Sequence, residues 1–293
     1  MSRAEGPIYA ARVAAITTLS PQMRRIRVEN VSGAHVPGIS EYRDTGFADE
    51  FVTLGLPAAH TKIRTVKDLA TADLSRRYYT VRARGREYLD LDFVLHGAGP
   101  GATWATHAEM GELILLGEPR GGYAPPAGCE WIALVGDATA LPAIARILES
   151  HLGDAAAPPV IAVIQVANAA EVQPLAHRLA DTVRWVVDAG DTGPLPEAVR
   201  DLTDRPGHGY VWFSGEASEM RTARAHLRHT LRWPTERWDT MGYWRRDHER
   251  WQRRLAALDP GVTAQLDEIY ANEEIDPELA RDRADSLLAP FGL

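Results

Sequence analysis

The chain has 293 residues, 45% hydrophobic and 25% charged, a balance typical of a soluble globular protein. Its length suggests two domains, since one core rarely grows beyond about 250 residues. A formal charge of −8, from 40 Asp/Glu against 32 Lys/Arg, excludes wrapping a nucleic-acid backbone, and the single Cys129 excludes an internal disulfide, a cysteine zinc site and a cysteine-held iron–sulfur cluster.

The opening MSRAEGPIYAARV has no signal-peptide core, so a cytoplasmic protein is expected. From Ile8 the chain reads as six short strands: Ile8–Ile16, Met23–Val28, Phe51–Leu56, Tyr78–Arg84, Tyr88–Leu95 and Glu112–Leu116. They mix β-branched, aromatic and alternating polar residues between Gly/Pro/Asp/Ser turns, the pattern of a small antiparallel barrel. The break from Ala58 to Ser75 reads as a surface loop.

After the Pro/Gly-rich stretch Pro119–Gly128 the rhythm changes. Apolar Trp131–Val135, Val160–Val166, Val183–Val187 and Tyr210–Ser214 alternate with helical patterns at Thr139–His151, Ala170–Ala180 and Ala217–Leu231, implying a parallel sheet with both faces covered. The longest apolar runs fall far short of the ~20 residues that span a bilayer, so stable membrane insertion is not expected. Residues 247–293 hold eleven Asp/Glu against five Lys/Arg, a net of −6. Leu255, Leu258, Val262, Leu266, Ile269 and Tyr270 recur there at helical spacing, interrupted at Pro260–Gly261; a disordered end over the last fifteen or so residues is the alternative. The expected domains are therefore 1–124, 125–246 and a helical acidic extension, 247–293.

Four segments have the residue types for chemistry. In Arg77-Tyr78-Tyr79-Thr80 the arginine fork can grip a phosphate, an aromatic ring can lie on a planar cofactor, and the threonine hydroxyl can hydrogen-bond a ring nitrogen; strand alternation sets Arg77 and Tyr79 on one face and Thr80 on the other. The plain alternative is a barrel strand with exposed arginines. The strand ending in His96 leads through Gly99-Pro100-Gly101 into a short helix opening near Ala102, with Thr103, Trp104 and Ala105 following and Gly111 as its terminator; free N–H groups there could bind a pyrophosphate, or the segment is an ordinary connection with Trp104 in the core. Gly136-Asp137-Ala138-Thr139-Ala140 follows the first parallel strand, where such sheets bind nucleotides, with Thr139 as the expected helix cap, although the motif is not GxGxxG. Gly215-Glu216 should sit beside it in the folded sheet. Gly242-Tyr243-Trp244-Arg245-Arg246 suits stacking and anion contact, or serves as a hydrophobic anchor.

In order and spacing, RRYYTVR (76–82), DFVLHGAGPGATWA (92–105), GDATALPAIARIL (136–148), WFSGEAS (212–218) and GYWRR (242–246) resemble the siderophore-interacting protein family, the ferric-siderophore reductases among the ferredoxin-reductase-like flavoproteins. The resemblance covers roughly residues 8 to 246. It implies an N-terminal antiparallel FAD-binding barrel and a C-terminal parallel-sheet domain resembling nicotinamide-nucleotide domains. It also implies FAD held by Arg77, Tyr79, Thr80 and Val81, with Thr80 near the reactive N5, and a phosphate and ribose site at His96, Ala102, Thr103, Trp104 and Ala105. Asp137, Thr139, Ala140, Gly215 and Glu216 would border an NADH or NADPH site, with Tyr243 and Trp244 closing over the flavin or its adenine. The family's chelate pocket is basic, which points to Arg120, Arg245 and Arg246. Thr53 stands where many members have a lysine, with Lys62 or Arg64 as the compensating charge.

The implied reaction passes electrons from NAD(P)H through flavin N5 to ferric iron one at a time, weakening the chelate; the protein supplies no metal ligand. At the end of the second parallel strand, Gln165-Val166-Ala167-Asn168 offers neither an acid for ribose hydroxyls nor an arginine for a 2′-phosphate, so NADH, NADPH and a protein donor such as ferredoxin all stay open. A general flavin reductase and a siderophore carrier without flavin are the competing readings.

Overall fold

Alternating apolar and polar residues build the first part of the chain, and a computed structural model describes it over residues 8–31, 37–58, 61–95, 99–188, 193–246, 248–272 and 275–293. Six strands, β1 (Tyr9–Ser20), β2 (Met23–Asn30), β3 (Phe51–Pro57), β4 (Leu74–Arg84), β5 (Tyr88–Val94) and β6 (Leu113–Leu116), close into a barrel in the order β1-β2-β5-β4-β3-β6. Ile26, Val28, Val52, Leu54, Val81, Leu91 and Phe93 fill it with no exposed surface. Burying one such large apolar side chain stabilises the fold by roughly 1.5–3 kcal/mol. On the outer side the β2–β5 register sets Arg25 opposite Asp92 and Arg27 opposite Asp90, and each arginine grips its carboxylate through two hydrogen bonds of 2.7 and 2.8 Å. The hydrogen bond to Asp92 raises the Arg25 pKa.

The expected surface loop between Ala58 and Ser75 contains structure. Thr65 Oγ1 accepts the Asp68 N–H and starts helix α1 (Val66–Thr71), and Ile63 and Leu69 are buried against the barrel. The apolar pair was hidden among Lys62, Arg64 and Lys67. Helix α2 (Pro100–His107) lies between β5 and β6; it ends at His107, and Gly111 (φ +82°) instead turns the chain into β6.

The second part is a five-stranded sheet in the order β11-β10-β7-β8-β9, with β7 (Trp131–Asp137), β8 (Val160–Val166), β9 (Thr182–Val187), β10 (Gly209–Glu216) and β11 (Trp238–Trp244). β10, β7, β8 and β9 run parallel. Ile132 and Leu134 face helix α3 (Leu141–Ser150), whereas Ala133 and Val135 face helices α4 (Leu195–Thr203) and α5 (Ala217–Ala225). Both faces are thus covered, but the expected helix Ala170–Ala180 does not form. Only a 3₁₀ turn, Ala169–Glu171, is present before irregular chain. Pro174 disfavours helix at Gln173, and the buried Glu171 carboxylate is turned to the barrel, where it accepts the Ser20 hydroxyl (2.5 Å) and the Gln22 N–H (3.0 Å).

Barrel and sheet belong to one compact unit, Met1–Tyr243; Trp244–Leu293 form a second. Across the seam of the first unit Arg82 makes a two-pronged ion pair with Glu149 (2.8 and 2.5 Å), and Arg146 donates to the Val81 carbonyl (2.6 Å). The second unit holds helices α6 (His248–Ala256), α7 (Pro260–Ala271) and α8 (Pro277–Leu288). Pro260 starts α7 at a position where its missing N–H costs nothing, capped by Asp259, and Asp276 caps α8, so the tail is helical to Leu288 rather than disordered. No described helix is long and apolar enough to cross a membrane.

Candidate functional site

The β4 motif lies at the seam between barrel and sheet. Thr80 pairs with Phe51 and points away from the barrel core, and it is 5% exposed. Its Oγ1 has no hydrogen-bond partner, and neither has Oγ of Ser214, fully buried near the end of β10. Both hydroxyls lie near the Tyr243 phenol. Burial raises that phenol's pKa, as does the negative charge of Asp49, while Thr80 and Ser214 pull the other way. Tyr243 meets the Trp212 indole edge-on, with ring centroids 6.4 Å apart. A buried hydroxyl without a well-aligned partner costs about 1–3 kcal/mol, and here the Tyr243 phenol is the polar group that stands near both.

Arg77 and Tyr79 share the opposite face of β4. The Arg77 guanidinium touches only the Arg76 carbonyl (2.7 Å) among the described residues. The Tyr79 ring packs on Phe93 with centroids 4.2 Å apart, and burial pushes its phenol pKa up to about 12. A Cβ at Gly101 would stand 2.0 Å from the Tyr79 oxygen, so a larger residue there would have to push the Tyr79 ring aside. Gly99 is the N-cap and offers no side-chain acceptor, which leaves the first-turn N–H groups of Gly101 and Ala102 without an intrahelical partner. Thr103 N–H already bonds Gly99 O (2.9 Å), and those of Trp104 and Ala105 lie in the second turn, where the helix takes them up. The Trp104 side chain is core, its indole donating to Glu112 (3.2 Å). His96 lies outside the described residues. Val81 has no free group for a ligand: its side chain fills the barrel, its N–H bonds Glu50 O, and its carbonyl takes Arg146.

On the sheet side β7 and β10 pair with Gly136 opposite Ser214, which brings the two expected loops together. A Cβ on Gly215 would fall 2.8 Å from Asp137 Oδ2. Asp137 Oδ1 accepts both the N–H (2.8 Å) and the hydroxyl (2.5 Å) of Thr139. This turns Thr139 back toward Asp137, and Ala140 rather than Thr139 becomes the N-cap of α3. Glu216 caps α5, accepting the N–H groups of Ser218 (2.6 Å) and Glu219 (3.3 Å).

The basic residues have different immediate surroundings. Arg120 is exposed, its guanidinium forms no hydrogen bond or ion pair among the described residues, and its backbone pairs with Phe51. Lys62 does not join it: its ammonium caps α2 at the His107 carbonyl (2.5 Å) and pairs with Glu109 and Glu112, a structural role set by the carbonyls left open at a helix end. Arg64 is engaged beside it with Met110 and Glu109. In the second unit the Arg245 guanidinium lies over the Trp251 ring at 4.4 Å, Arg246 is exposed and Trp244 half-buried.

Sequence reasoning missed Asp49. Its carboxylate, 4% exposed, accepts the N–H groups of Gly122 and Tyr123 (both 3.0 Å) and the Trp212 indole N–H (3.2 Å), fastening the chain between barrel and sheet. The available signal was an Asp-Glu pair immediately before an apolar strand. Glu50 is buried too, accepting the Tyr42 hydroxyl (3.0 Å).

The donor set fits FAD: an arginine fork and open helix N–H groups for phosphates, an aromatic ring at the mouth of the barrel, and a buried hydroxyl without a partner. Among the described residues no group of three His, Cys, Asp or Glu could hold a metal ion.

Comparison with known proteins agrees. Residues 12–123 match the siderophore-interacting FAD-binding domain and residues 129–247 the siderophore-interacting protein family. An uncharacterized protein of Mycobacterium tuberculosis is 34% identical over 284 residues, 87% of this chain and 98% of that one. The ferric vibriobactin reductase of Vibrio cholerae is 30% identical over 178 residues, 58% of this chain and 64% of that one. The structure of the siderophore-interacting protein of Aeromonas hydrophila superposes with a TM-score of 0.67 at 28% identity, covering 85% of this chain and 96% of that one. With its barrel followed by a parallel sheet in the ferredoxin-reductase-like order, the chain belongs to the siderophore-interacting protein family and carries that family's FAD-binding domain.

Proposed function

We propose that this protein reduces the iron of a ferric siderophore, with FAD as cofactor and NAD(P)H as electron source, and so releases ferrous iron for assimilation in the cell. The observation that carries the reading is the buried, unpartnered Thr80 hydroxyl, which is matched to a ring nitrogen of a planar cofactor. The ferric vibriobactin reductase similarity supports the substrate class. Bound FAD would supply a centre that takes electrons in pairs and passes them on singly, as ferric iron requires. Two ferric ions are then reduced for each NAD(P)H oxidised, with one proton released.

The residues bind, orient and exclude. Arg77 grips the pyrophosphate with its planar fork, assisted by the Gly101 and Ala102 N–H groups at the start of α2. Tyr79 bounds the planar ring, Thr80 fixes its nitrogen edge, and Trp212 with Tyr243 forms a wall that excludes water. Arg120 draws the anionic chelate by charge. No iron ligand and no general acid from the protein is required.

A second reading concerns the donor. The N–H groups of Thr139, Ser218 and Glu219, where a dinucleotide's phosphates would dock, are held by the carboxylates of Asp137 and Glu216, which favours a protein donor such as ferredoxin. One anaerobic experiment tests both: load the protein with FAD, add NADH or NADPH, then a ferric siderophore with a ferrous trap. Bleaching followed by chelate-dependent reoxidation and a ferrous signal is expected. A bound flavin that neither nucleotide bleaches selects the protein donor, and failure to take up FAD overturns the reductase.

A further inference from the structure

Strand β4 pairs with β3 from Leu74 to Thr80 and with β5 only from Val81 to Arg84. The β5 ladder is irregular from its start. Val81 faces Leu91 and Ala83 faces Asp90, so Arg82 is one residue too many and bulges out. A bulge bends its strand and re-aims the side chains beside it. Thr80 is the last residue before this irregular step.

The residue that follows Thr80 is held on both its polar groups. The Val81 N–H donates to the Glu50 carbonyl (2.8 Å), and the Val81 carbonyl accepts a hydrogen bond from the Arg146 guanidinium (2.6 Å). The Glu50 side chain is fully buried. Its carboxylate accepts the Tyr42 hydroxyl (3.0 Å) and the N–H (2.5 Å) and hydroxyl (2.9 Å) of Thr45, with Arg146 as its ion-pair partner at 3.8 Å. A buried carboxylate is costly to leave without a nearby cation, so Glu50 keeps the Arg146 head in place. One planar fork thus neutralises Glu50 and ties down the main chain next to Thr80.

Helix α3 makes a second contact with β4, where Glu149 pairs with Arg82. The two contacts differ in what they hold. Arg82 and Glu149 join side chain to side chain, whereas Arg146 reaches the backbone that carries Thr80. A hydrogen bond weakens steeply as its angle opens, and hydrogen bonds to ring nitrogens tune a flavin's electronics. From this difference we infer that Arg146 is a positioning residue: through the Val81 carbonyl and Glu50 it sets where the Thr80 hydroxyl stands, and so tunes the reduction potential of the flavin. The inference rests on the reading of Thr80 as the group that meets the flavin's ring nitrogen, and adds the residue that aims it.

The potential is measured on the FAD-loaded protein, from flavin absorbance against a reference redox dye. Arg146→Lys keeps the positive charge but lacks the fork that serves Glu50 and Val81 together. It should shift the potential in the same direction as Thr80→Val, by about 3- to 10-fold in the reduction equilibrium, or about 15–30 mV for a two-electron couple. Combined with Thr80→Val, Arg146→Lys should add no further shift. Arg82→Ala, which cuts the neighbouring contact, should leave the potential where it is, whatever it does to the melting temperature. An unmoved potential in Arg146→Lys, a shift that persists with Thr80→Val, or an equal shift in Arg82→Ala overturns the positioning role and leaves the reductase standing. If Arg146→Lys does not fold, Arg146→Met with Glu50→Gln removes both charges together and is read by the same criteria. Failure of the unmodified protein to hold FAD, or a Thr80→Val potential equal to its own, overturns the Thr80 reading and the inference with it.

Discussion

On the barrel side of the site the Thr80 hydroxyl is buried without a partner and Arg77 touches one backbone carbonyl, whereas on the sheet side Asp137 and Glu216 occupy the N–H groups of Thr139, Ser218 and Glu219. Both sides use the same kinds of polar group at the ends of strands and the starts of helices. The barrel leaves them for a molecule from outside, and the sheet satisfies them with its own carboxylates. The same fold therefore does not leave the polar groups at its barrel and sheet edges equally open; the local acids decide.

The contrast breaks first at Arg77. Arg77→Ala removes a charge-assisted fork from the receptive side, and FAD affinity, followed by flavin release on dilution, should fall about 10- to 100-fold. On the self-capped side Glu216→Ala should act on stability instead, lowering the urea-unfolding free energy by about 0.5–2 kcal/mol through loss of the α5 cap. If Glu216→Ala leaves stability unchanged, the carboxylate is no cap and the distinction between the sides fails. The smallest effect lies at the seam, where Tyr123 and His151 share a 3.0 Å hydrogen bond. Burial, with the charge of Arg178, holds His151 below its ordinary pKa of 6.5, so the unfolded chain binds a proton first on acidification. That stability contribution is complete above pH 6.5 and is lost as pH falls below it toward the depressed folded value. His151→Gln should flatten the pH dependence of the melting temperature in that range.

Much of this architecture was legible. Alternation and turn residues gave all six barrel strands within a few residues, and four parallel strands followed from short runs of mostly apolar residues. β11 escaped because WDTMGYW contains no aliphatic run and reads as a stacking motif. The Ala170–Ala180 helix was misread because composition does not show that Glu171 bonds to a barrel more than a hundred residues away. For the site, the sequence indicated the Arg77–Thr80 cluster and the adjacency of Asp137 and Gly215. It could not show that Lys62 is held at a helix end or that Asp49 is buried, since each depends on pairing between distant segments.

Glu171 has one more consequence. By reaching back to Ser20 and Gln22 it joins Arg82–Glu149 and Asp49–Trp212 as a third brace between barrel and sheet, spaced along the chain from the first strand to the tenth. Three braces that do not share an element hold the barrel to the sheet at three separate places, so the cleft between them is shaped by the same folding step that builds both halves.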